Sequence, residues 1–210
     1  MPSSSSKANP LEALQRLREG NARFASNLRS IEALASVARR GDLVEGQSPL
    51  AIVLSCSDSR VPSEIIFDCG LGDLFVVRVA GNIAAPSLIG SVEFAAARFG
   101  TRLALVLGHT GCGAVAATLD SLVAGAEIAS ENIRDIVSRI TPAVRELVRP
   151  GLSRQELMHA AVRANIRTTA DRLRHGSSIL ERLVEKEGLL VVGAEYSLET
   201  GLVDFFDGVP

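Results

Sequence analysis

The fold is decided by the apolar run Leu103-Ala104-Leu105-Val106-Leu107, which leads directly into Gly108-His109-Thr110-Gly111-Cys112-Gly113. An earlier run, Leu50-Ala51-Ile52-Val53-Leu54, leads in the same way into Cys56-Ser57-Asp58-Ser59-Arg60. Short, continuous apolar runs are typical of strands that are covered on both faces of a parallel sheet. Both runs therefore predict buried strands, each followed at its carboxyl end by polar residues.

The rest of the chain alternates between apolar runs and helical patterns. Further strands are predicted at 74–79 and 189–192. Helices are predicted at 10–27, 30–40, 87–99, 113–124, 131–148, 153–175 and 178–187. Ser153-x-x-Glu156 and Ser178-x-x-Glu181 have the pattern of capping boxes that begin the last two helices. This alternation predicts an α/β fold, with a mostly parallel central sheet of four or five strands flanked by helices and an N-terminal helical arm.

Composition narrows the function classes. A chain of 210 residues with a formal net charge of −2 has no positive electrostatic potential that would attract nucleic acid. No apolar run approaches the length of a membrane span, and residues 1–8 have no apolar segment that would make them a signal peptide. Three cysteines, an odd number, argue against a disulfide framework and predict reduced thiols in the cytoplasm.

Cys56, His109 and Cys112 are candidate metal ligands. Two thiolates and one imidazole suit zinc and leave the fourth position open, as in catalytic zinc sites. The carboxyl ends of neighbouring parallel strands meet at one edge of a sheet, where ligand sites form, so the 53 residues between Cys56 and His109 are no obstacle. Two alternatives are that the cysteines are small buried hydrophobic residues, and that 108–113 is a phosphate-binding turn, although no P-loop lysine follows. Cys69 has no metal-like neighbour and is interpreted as a packing residue.

Asp58 and Arg60 follow Cys56 by two and four residues. The carboxylate could ligate the metal, or it could pair with Arg60 and orient metal-bound water. An ordinary surface ion pair, worth about 0–1 kcal/mol, is an equally good interpretation of the spacing alone.

At these residues the chain resembles the β-class carbonic anhydrases, and the likeness extends from Asn9 to Phe206. The markers of the resemblance are Cys56-Ser57-Asp58-Ser59-Arg60-Val61-Pro62, Gly72-Asp73-Leu74-Phe75-Val76-Val77-Arg78, Asn82, and Gly108-His109-x-x-Cys112-Gly113. The resemblance implies a carbonate dehydratase that interconverts carbon dioxide and bicarbonate by attack of zinc-bound hydroxide. Cys56, His109 and Cys112 match the family's zinc ligands, and Asp58–Arg60 matches the dyad that orients the hydroxide.

The resemblance also assigns substrate contacts and an assembly. Gln47 matches a glutamine that hydrogen-bonds substrate, and Phe75 matches an aromatic wall contributed by the neighbouring subunit. We expect carbon dioxide to be held between Gln47, the Gly113 backbone N–H and apolar walls that include Phe75. Phe94 occupies a position where plant-like members carry tyrosine. The family forms dimers that often assemble into tetramers or octamers. We therefore expect a homodimer, with a tetramer as a further possibility, and the helical arm with Leu11, Leu14 and Leu17 packed on the partner.

The family also divides by resting state. In some members the dyad aspartate, here Asp58, ligates zinc in a closed inactive state, and a tryptophan, an arginine and a tyrosine hold an inhibitory bicarbonate. The chain has Val53 at the tryptophan position, with Arg78 and Tyr196 at the others, which favours the open state.

The expected organisation is a flexible tail at 1–8 and a single zinc-binding α/β catalytic domain at 9–210. Two alternatives remain, a non-catalytic relative with structural zinc and a hydrolase of a related heterocumulene such as carbon disulfide.

Overall fold

A computed structural model describes residues 9–28, 37–149 and 151–210. A single five-stranded sheet lies at the centre of the protein. The strands are β1 (Ala51–Ser55), β2 (Leu74–Arg78), β3 (Leu103–His109), β4 (Leu190–Tyr196) and β5 (Val203–Asp207). Their spatial order is β2-β1-β3-β4-β5, and only β5 runs antiparallel to its neighbour. The predicted α/β fold with a mostly parallel sheet is therefore confirmed.

Eight helices connect and cover the strands in the described part of the chain. They are α1 (Pro10–Ala25), α2 (Val37–Asp42), α3 (Ser63–Ile66), α4 (Pro86–Arg98), α5 (Gly113–Ala124), α6 (Glu131–Val144), α7 (Arg154–His175) and α8 (Ser178–Glu187). Short 3-10 turns occur at Ala80–Asn82 and Arg145–Leu147. None of these helices is long and apolar enough to cross a lipid bilayer. Most of the predicted helical segment 30–40 lies outside the described residues.

The sheet separates two hydrophobic layers. Strands β1 and β3 are buried along their whole length, because helices cover both faces. On one face, Ile52 and Val106 pack in the layer formed with α4 to α8. On the other face, Val53 and Leu105 pack with α1, α3 and the segment that follows α3. This two-sided burial explains why both strands read as continuous apolar runs.

Helix α1 packs on its own sheet. Leu14 and Leu17 are buried against α3, β1 and β3, whereas Leu11 is 52% exposed. The expectation that all three leucines face a partner subunit is therefore wrong for Leu14 and Leu17. Their apolar surface is already covered within the chain.

Helix α7 approaches the sheet closely at two glycines. A Cβ atom on Gly108 in β3 would lie 2.5 Å from Ile166 Cδ1, and one on Gly193 in β4 would lie 2.8 Å from Ile166 Cγ2. Since such contacts are shorter than carbon atoms tolerate, both positions need a residue without a side chain for Ile166 to occupy its place.

The strand order creates a switch point between β1 and β3. From β1 the chain moves to β2 on one side, and it then returns to β3 on the other side. Ser55 at the end of β1 lies beside Leu107 near the end of β3. Ligand sites in open parallel sheets form beyond the carboxyl ends of the strands at such a point.

The N-termini of α7 and α8 differ in how they are capped. Ser153 Oγ accepts from Glu156 N at 3.2 Å and Glu156 Oε2 accepts from Ser153 N at 2.8 Å, so the capping box predicted for α7 is confirmed. The box predicted from Ser178 is wrong, because the cap is Ser177, whose Oγ accepts from Leu180 N at 3.2 Å. The same hydroxyl donates to Glu93 Oε1 at 2.5 Å, which ties α8 to α4.

We expect Ser177→Ala to lower the free energy of unfolding by about 1–2 kcal/mol, since it removes a helix cap and a buried hydrogen bond. Ser178→Ala, at an exposed position one residue later, should change the free energy of unfolding by less than about 0.5 kcal/mol. Chemical denaturation at matched protein concentration measures both values. Equal losses in the two variants would contradict the assignment of Ser177 as the cap.

Candidate metal centre

The three candidate ligands meet at the predicted edge of the sheet. Cys56 follows β1, His109 is the last residue of β3, and Cys112 is the N-cap of α5. All three side chains are buried, and the two cysteine Sγ atoms and an imidazole nitrogen of His109 lie within 4.8 Å of one another. The switch point between β1 and β3 thus brings together residues that are far apart in sequence.

A tight turn presents two of the ligands. Between His109 and Cys112 the chain reverses at Gly111, whose φ of 67° lies in the left-handed region that favours glycine. A Cβ on Gly111 would meet nothing within 4 Å, so conformation and not crowding requires glycine here. The turn lets the imidazole at the end of β3 and the thiol at the start of α5 face the same point.

The tautomer of His109 follows from its hydrogen bond. Nδ1 lies 3.0 Å from the Thr110 carbonyl oxygen, which can only accept, so Nδ1 carries the proton. The Nε2 lone pair is consequently free, and this buried atom has no hydrogen-bond partner among the described residues. A buried nitrogen without a partner costs free energy, and a metal ion removes that cost.

The two sulfurs influence each other's ionisation. Cys56 Sγ lies 4.0 Å from Cys112 Sγ and accepts backbone N–H groups from Asp58 at 3.5 Å and Gly81 at 3.4 Å. A hydrogen bond from the neighbouring Cys112 thiol, acting against burial, lowers the pKa of Cys56. Hydrogen bonding to Cys56 and burial raise the pKa of Cys112. Both sulfurs become thiolates together only where a cation compensates their charge.

The donor set fits a soft divalent metal ion. Two sulfurs that share a zinc ion, with Zn–S bonds of about 2.3 Å, lie no more than about 4.6 Å apart. The observed 4.0 Å is within this limit. Thiolate and imidazole donors select zinc over magnesium or calcium, which prefer oxygen ligands.

Asp58 and Arg60 form a bidentate pair beside these ligands. Arg60 Nε donates to Oδ1 at 2.9 Å and Nη2 donates to Oδ2 at 2.7 Å, and the Arg60 backbone N–H also donates to Oδ1 at 3.0 Å. These bonds hold the pKa of the Asp58 carboxyl well below its usual range. Oδ2 lies 3.8 Å from His109 Nε2, so an ionised carboxylate stands next to the ligand cluster.

Arg78 supports the loop that carries Cys56. Its Nε donates to the Cys56 carbonyl oxygen at 3.1 Å and its Nη2 donates to the Asp58 carbonyl oxygen at 2.7 Å. The parallel register places Arg78 at the end of β2 beside Ser55, one residue before Cys56. No sequence motif signals this loop-supporting role.

Gly81 and Asn165 form a second support that sequence analysis missed. Gly81 has a φ of 73°, and a Cβ there would lie 2.8 Å from Ile140 Cδ1. Its N–H donates to Cys56 Sγ, while its carbonyl oxygen accepts from Asn165 Nδ2 at 2.8 Å. The only sequence signal is the glycine before Asn82.

The expected substrate-contacting residues lie in different surroundings. Gly113 follows Cys112 as the first residue of α5, and a Cβ there would meet nothing within 4 Å. Gln47 is exposed and makes no hydrogen bond to a described residue. Phe75 and Phe94 pack in an aromatic cluster with Phe99, with ring centroids 5.6–6.4 Å apart, and Phe94 is 54% exposed.

Known proteins give independent evidence on the family. The family model described as carbonic anhydrase matches residues 51–203. A carbonic anhydrase of Mycolicibacterium smegmatis is 39% identical, over 94% of this chain and 93% of the relative. The solved structure of the β-carbonic anhydrase CcaA is similar with a TM-score of 0.71 and 30% identity, covering 94% of this chain and 93% of that one.

A second solved structure supports the fold alone. It belongs to a study of two tetrameric β-carbonic anhydrases of Sordaria macrospora and has a TM-score of 0.73 at 20% identity, covering 93% of this chain and 97% of that one. The match to the family model and the alignment with the mycobacterial relative each cover most of the chain, and the matched residues 51–203 include all three ligands. The chain therefore belongs to the β-class carbonic anhydrase family.

Proposed function

We propose that the protein is a zinc-dependent carbonate dehydratase that interconverts carbon dioxide and bicarbonate. The observation that carries the proposal is the buried Cys56–His109–Cys112 cluster with the ionised Asp58 held beside it by Arg60. Three protein ligands leave one position for a reacting molecule, whereas structural zinc sites are closed by four. Zinc at such a site lowers the pKa of water to near 7 and so supplies a nucleophile at neutral pH.

Asp58 orients the nucleophile by accepting its hydrogen. A carboxylate has about four acceptor positions, and Arg60 occupies three of them, two on Oδ1 and one on Oδ2. The remaining position is on Oδ2, the oxygen that lies 3.8 Å from His109 Nε2. A hydroxyl group that donates there has its lone pairs directed away from Asp58 and available for attack on carbon dioxide.

The start of α5 stabilises the charge that develops on substrate oxygen. The N–H groups of the first helical turn have no partner within the helix, and the helix dipole adds positive potential at this end. Gly113 is the first residue of that turn and adjoins the ligand Cys112. Its backbone N–H is therefore suited to bind an oxygen of carbon dioxide or bicarbonate.

The Asp58–Arg60 pair favours the catalytic proposal over a structural zinc site. If Asp58 were a permanent fourth ligand, its carboxylate would have to exchange the bonds from Arg60 for the metal. Val53 further favours the open state, because it is fully buried and cannot supply the indole of the inhibitory bicarbonate pocket. Arg78 is engaged with the carbonyl oxygens of Cys56 and Asp58.

We further propose a cytoplasmic homodimer, able to assemble into a tetramer, in which Gln47, Phe75 and Phe94 complete the partner's site. Strand β2 is an edge strand, unpaired on its outer side among the described residues, and Phe94 beside it is exposed. Exposed edges and aromatic side chains are typical of surfaces that a partner covers. The cytoplasmic location is supported by three free cysteines, two of which must stay reduced to bind metal. Residues 9–210 would form the single catalytic domain, preceded by the tail at 1–8.

Purified protein should contain about one zinc ion per chain, and Cys112→Ser should lose it, because one of two thiolates is removed. The matched control is Cys69→Ser, since burial raises the pKa of this thiol to about 12 and it donates to the Phe67 carbonyl oxygen. Elemental analysis after gel filtration measures both. Full zinc occupancy in Cys112→Ser would show that the ligand assignment is wrong.

Asp58→Asn should lower kcat/KM for carbon dioxide hydration by about a hundredfold or more while zinc content is unchanged, because the amide is a poorer acceptor for the nucleophile's hydrogen. Asp135→Asn is the control, since Asp135 forms an exposed pair with Arg139 on α6. Stopped-flow hydration with a pH indicator, before and after chelation, measures the rates. A zinc-loaded wild-type protein without hydration activity would favour the structural alternative, and activity on carbon disulfide alone would favour the heterocumulene hydrolase.

Sedimentation velocity should give a dimer or a larger assembly for the active protein. Phe94→Glu should produce monomers with little activity, because it places a charge in the proposed interface. Val123→Glu, at an exposed apolar residue of α5, should remain at least dimeric. A fully active monomer at working concentration would contradict the shared site.

A further inference from the structure

A second cavity lies beside the metal centre, between α7 and the carboxyl ends of β3 and β4. Its volume is about 650 Å³, which is the size of a small-molecule site. Ala116, Met158 and Val162 form its apolar wall, and Thr110, Glu195 and Ser197 are among its polar residues. None of the three metal ligands lines it, but Thr110 and Gly111, from the turn between His109 and Cys112, do.

Glu195 gives this cavity an unsatisfied acceptor. The residue is 5% exposed, and its Oε2 accepts from Arg163 Nη1 at 3.2 Å. Oε1 is buried and has no hydrogen-bond partner among the described residues; His159 Nδ1 lies 3.6 Å from it, beyond hydrogen-bond distance. A buried carboxylate oxygen without a donor is costly, so the site favours a ligand that brings one.

The charges around the cavity favour a cation. Arg163 is shared between Glu195 and Asp204, whose Oδ2 it contacts at 2.7 Å, and Glu199 adds a further carboxylate to the lining. Arg154, the arginine that lines the cavity itself, pairs with Asp120 at 2.6 Å. Carboxylates therefore outnumber the positive charges that are available to balance them.

His159 lines the cavity, with its Nδ1 3.6 Å from the unsatisfied oxygen. Its side chain is 60% exposed, so its ring can rotate outward without disturbing the core. An incoming donor could then reach Glu195 Oε1 from the cavity.

We propose that this cavity binds a small organic cation, a primary ammonium with a short apolar arm. The ammonium donates to Glu195 Oε1, and the arm lies against Met158 and Val162. A metal ion suits the cavity less well, because Cys56, His109 and Cys112 are the only group of three ligating side chains close enough together in the described ranges.

The cavity shares one peptide with the metal centre. Thr110 lines the cavity, and its carbonyl oxygen is the acceptor that orients His109. Thr110 is held from the other side, since its N–H donates to the Tyr196 carbonyl oxygen at 3.0 Å and its Oγ1 accepts from Leu198 N at 3.1 Å. A bound cation would therefore lie against the peptide that positions a metal ligand.

The test is an NMR titration of the metal-loaded protein with n-butylammonium at millimolar concentrations. We expect saturable shifts of the Thr110, Gly111 and Ser197 amide signals, and no saturable shift with butan-1-ol, which has the same arm without the charge. Shifts confined to other regions, or equal binding of the alcohol, would overturn the proposal.

Variants then identify the group that binds the ammonium. Glu195→Gln should weaken binding about tenfold, because a charge-assisted hydrogen bond becomes a neutral one. Glu199→Gln, on the exposed rim, should change affinity by less than about twofold. His159→Ala should bind at least as tightly as wild type, since it uncovers Oε1. Weakening by Glu199→Gln and not by Glu195→Gln would mean that the cation binds only at the surface.

A cavity-filling variant guards against a folding defect in Glu195→Gln. Ala116→Phe places a ring in the cavity without changing any charge, and it should abolish the n-butylammonium shifts while zinc content stays the same. Retained binding in Ala116→Phe would exclude this cavity as the site.

Discussion

Two cysteine sulfurs 4.0 Å apart in the core cannot both carry negative charge without a cation between them. The surrounding structure accommodates this constraint from several directions. Gly81 and Asp58 donate backbone N–H groups to Cys56, and the Thr110 carbonyl oxygen turns His109 so that its free lone pair faces the sulfurs. The Asp58 carboxylate adds a further negative charge beside the ligands, and the Arg60 guanidinium that pairs with it balances this charge. The groups around the two sulfurs therefore fit a bound cation.

How far the fold could be predicted depended on how each strand is buried. Strands β1 and β3 are covered on both faces and therefore appear as continuous apolar runs. Strand β5 is half-exposed, and Asp204 and Asp207 interrupt its apolar residues, so it does not form a continuous apolar run. The error at α8 was one residue, because Ser177 and Ser178 both satisfy the chemistry of a cap and only the backbone decides between them.

The residues of the site also differ in whether their roles could be predicted from the sequence. The ligand cluster could be predicted because its residues are chemically distinctive and follow two strands whose ends must meet. The roles of Arg78 and Asn165 could not, because each side chain binds a backbone carbonyl oxygen, and such contacts depend on register and not on residue type. Glu195 was missed for a related reason: its burial follows from its place on β4 beside α7, which no local pattern encodes.

The contact between Gly108 and Ile166 has a consequence for the history of this protein's sequence. Gly108 precedes a metal ligand and would be counted as part of the catalytic motif, yet the reason for it lies in the space that Ile166 occupies. Positions 108 and 166 are therefore expected to evolve together, with a smaller residue on α7 permitting a side chain at 108. Gly193 is constrained further, since a Cβ there would also lie 3.0 Å from the Asp207 Cβ. A designer who moves the ligand cluster to another scaffold could dispense with this glycine but would have to keep Gly111.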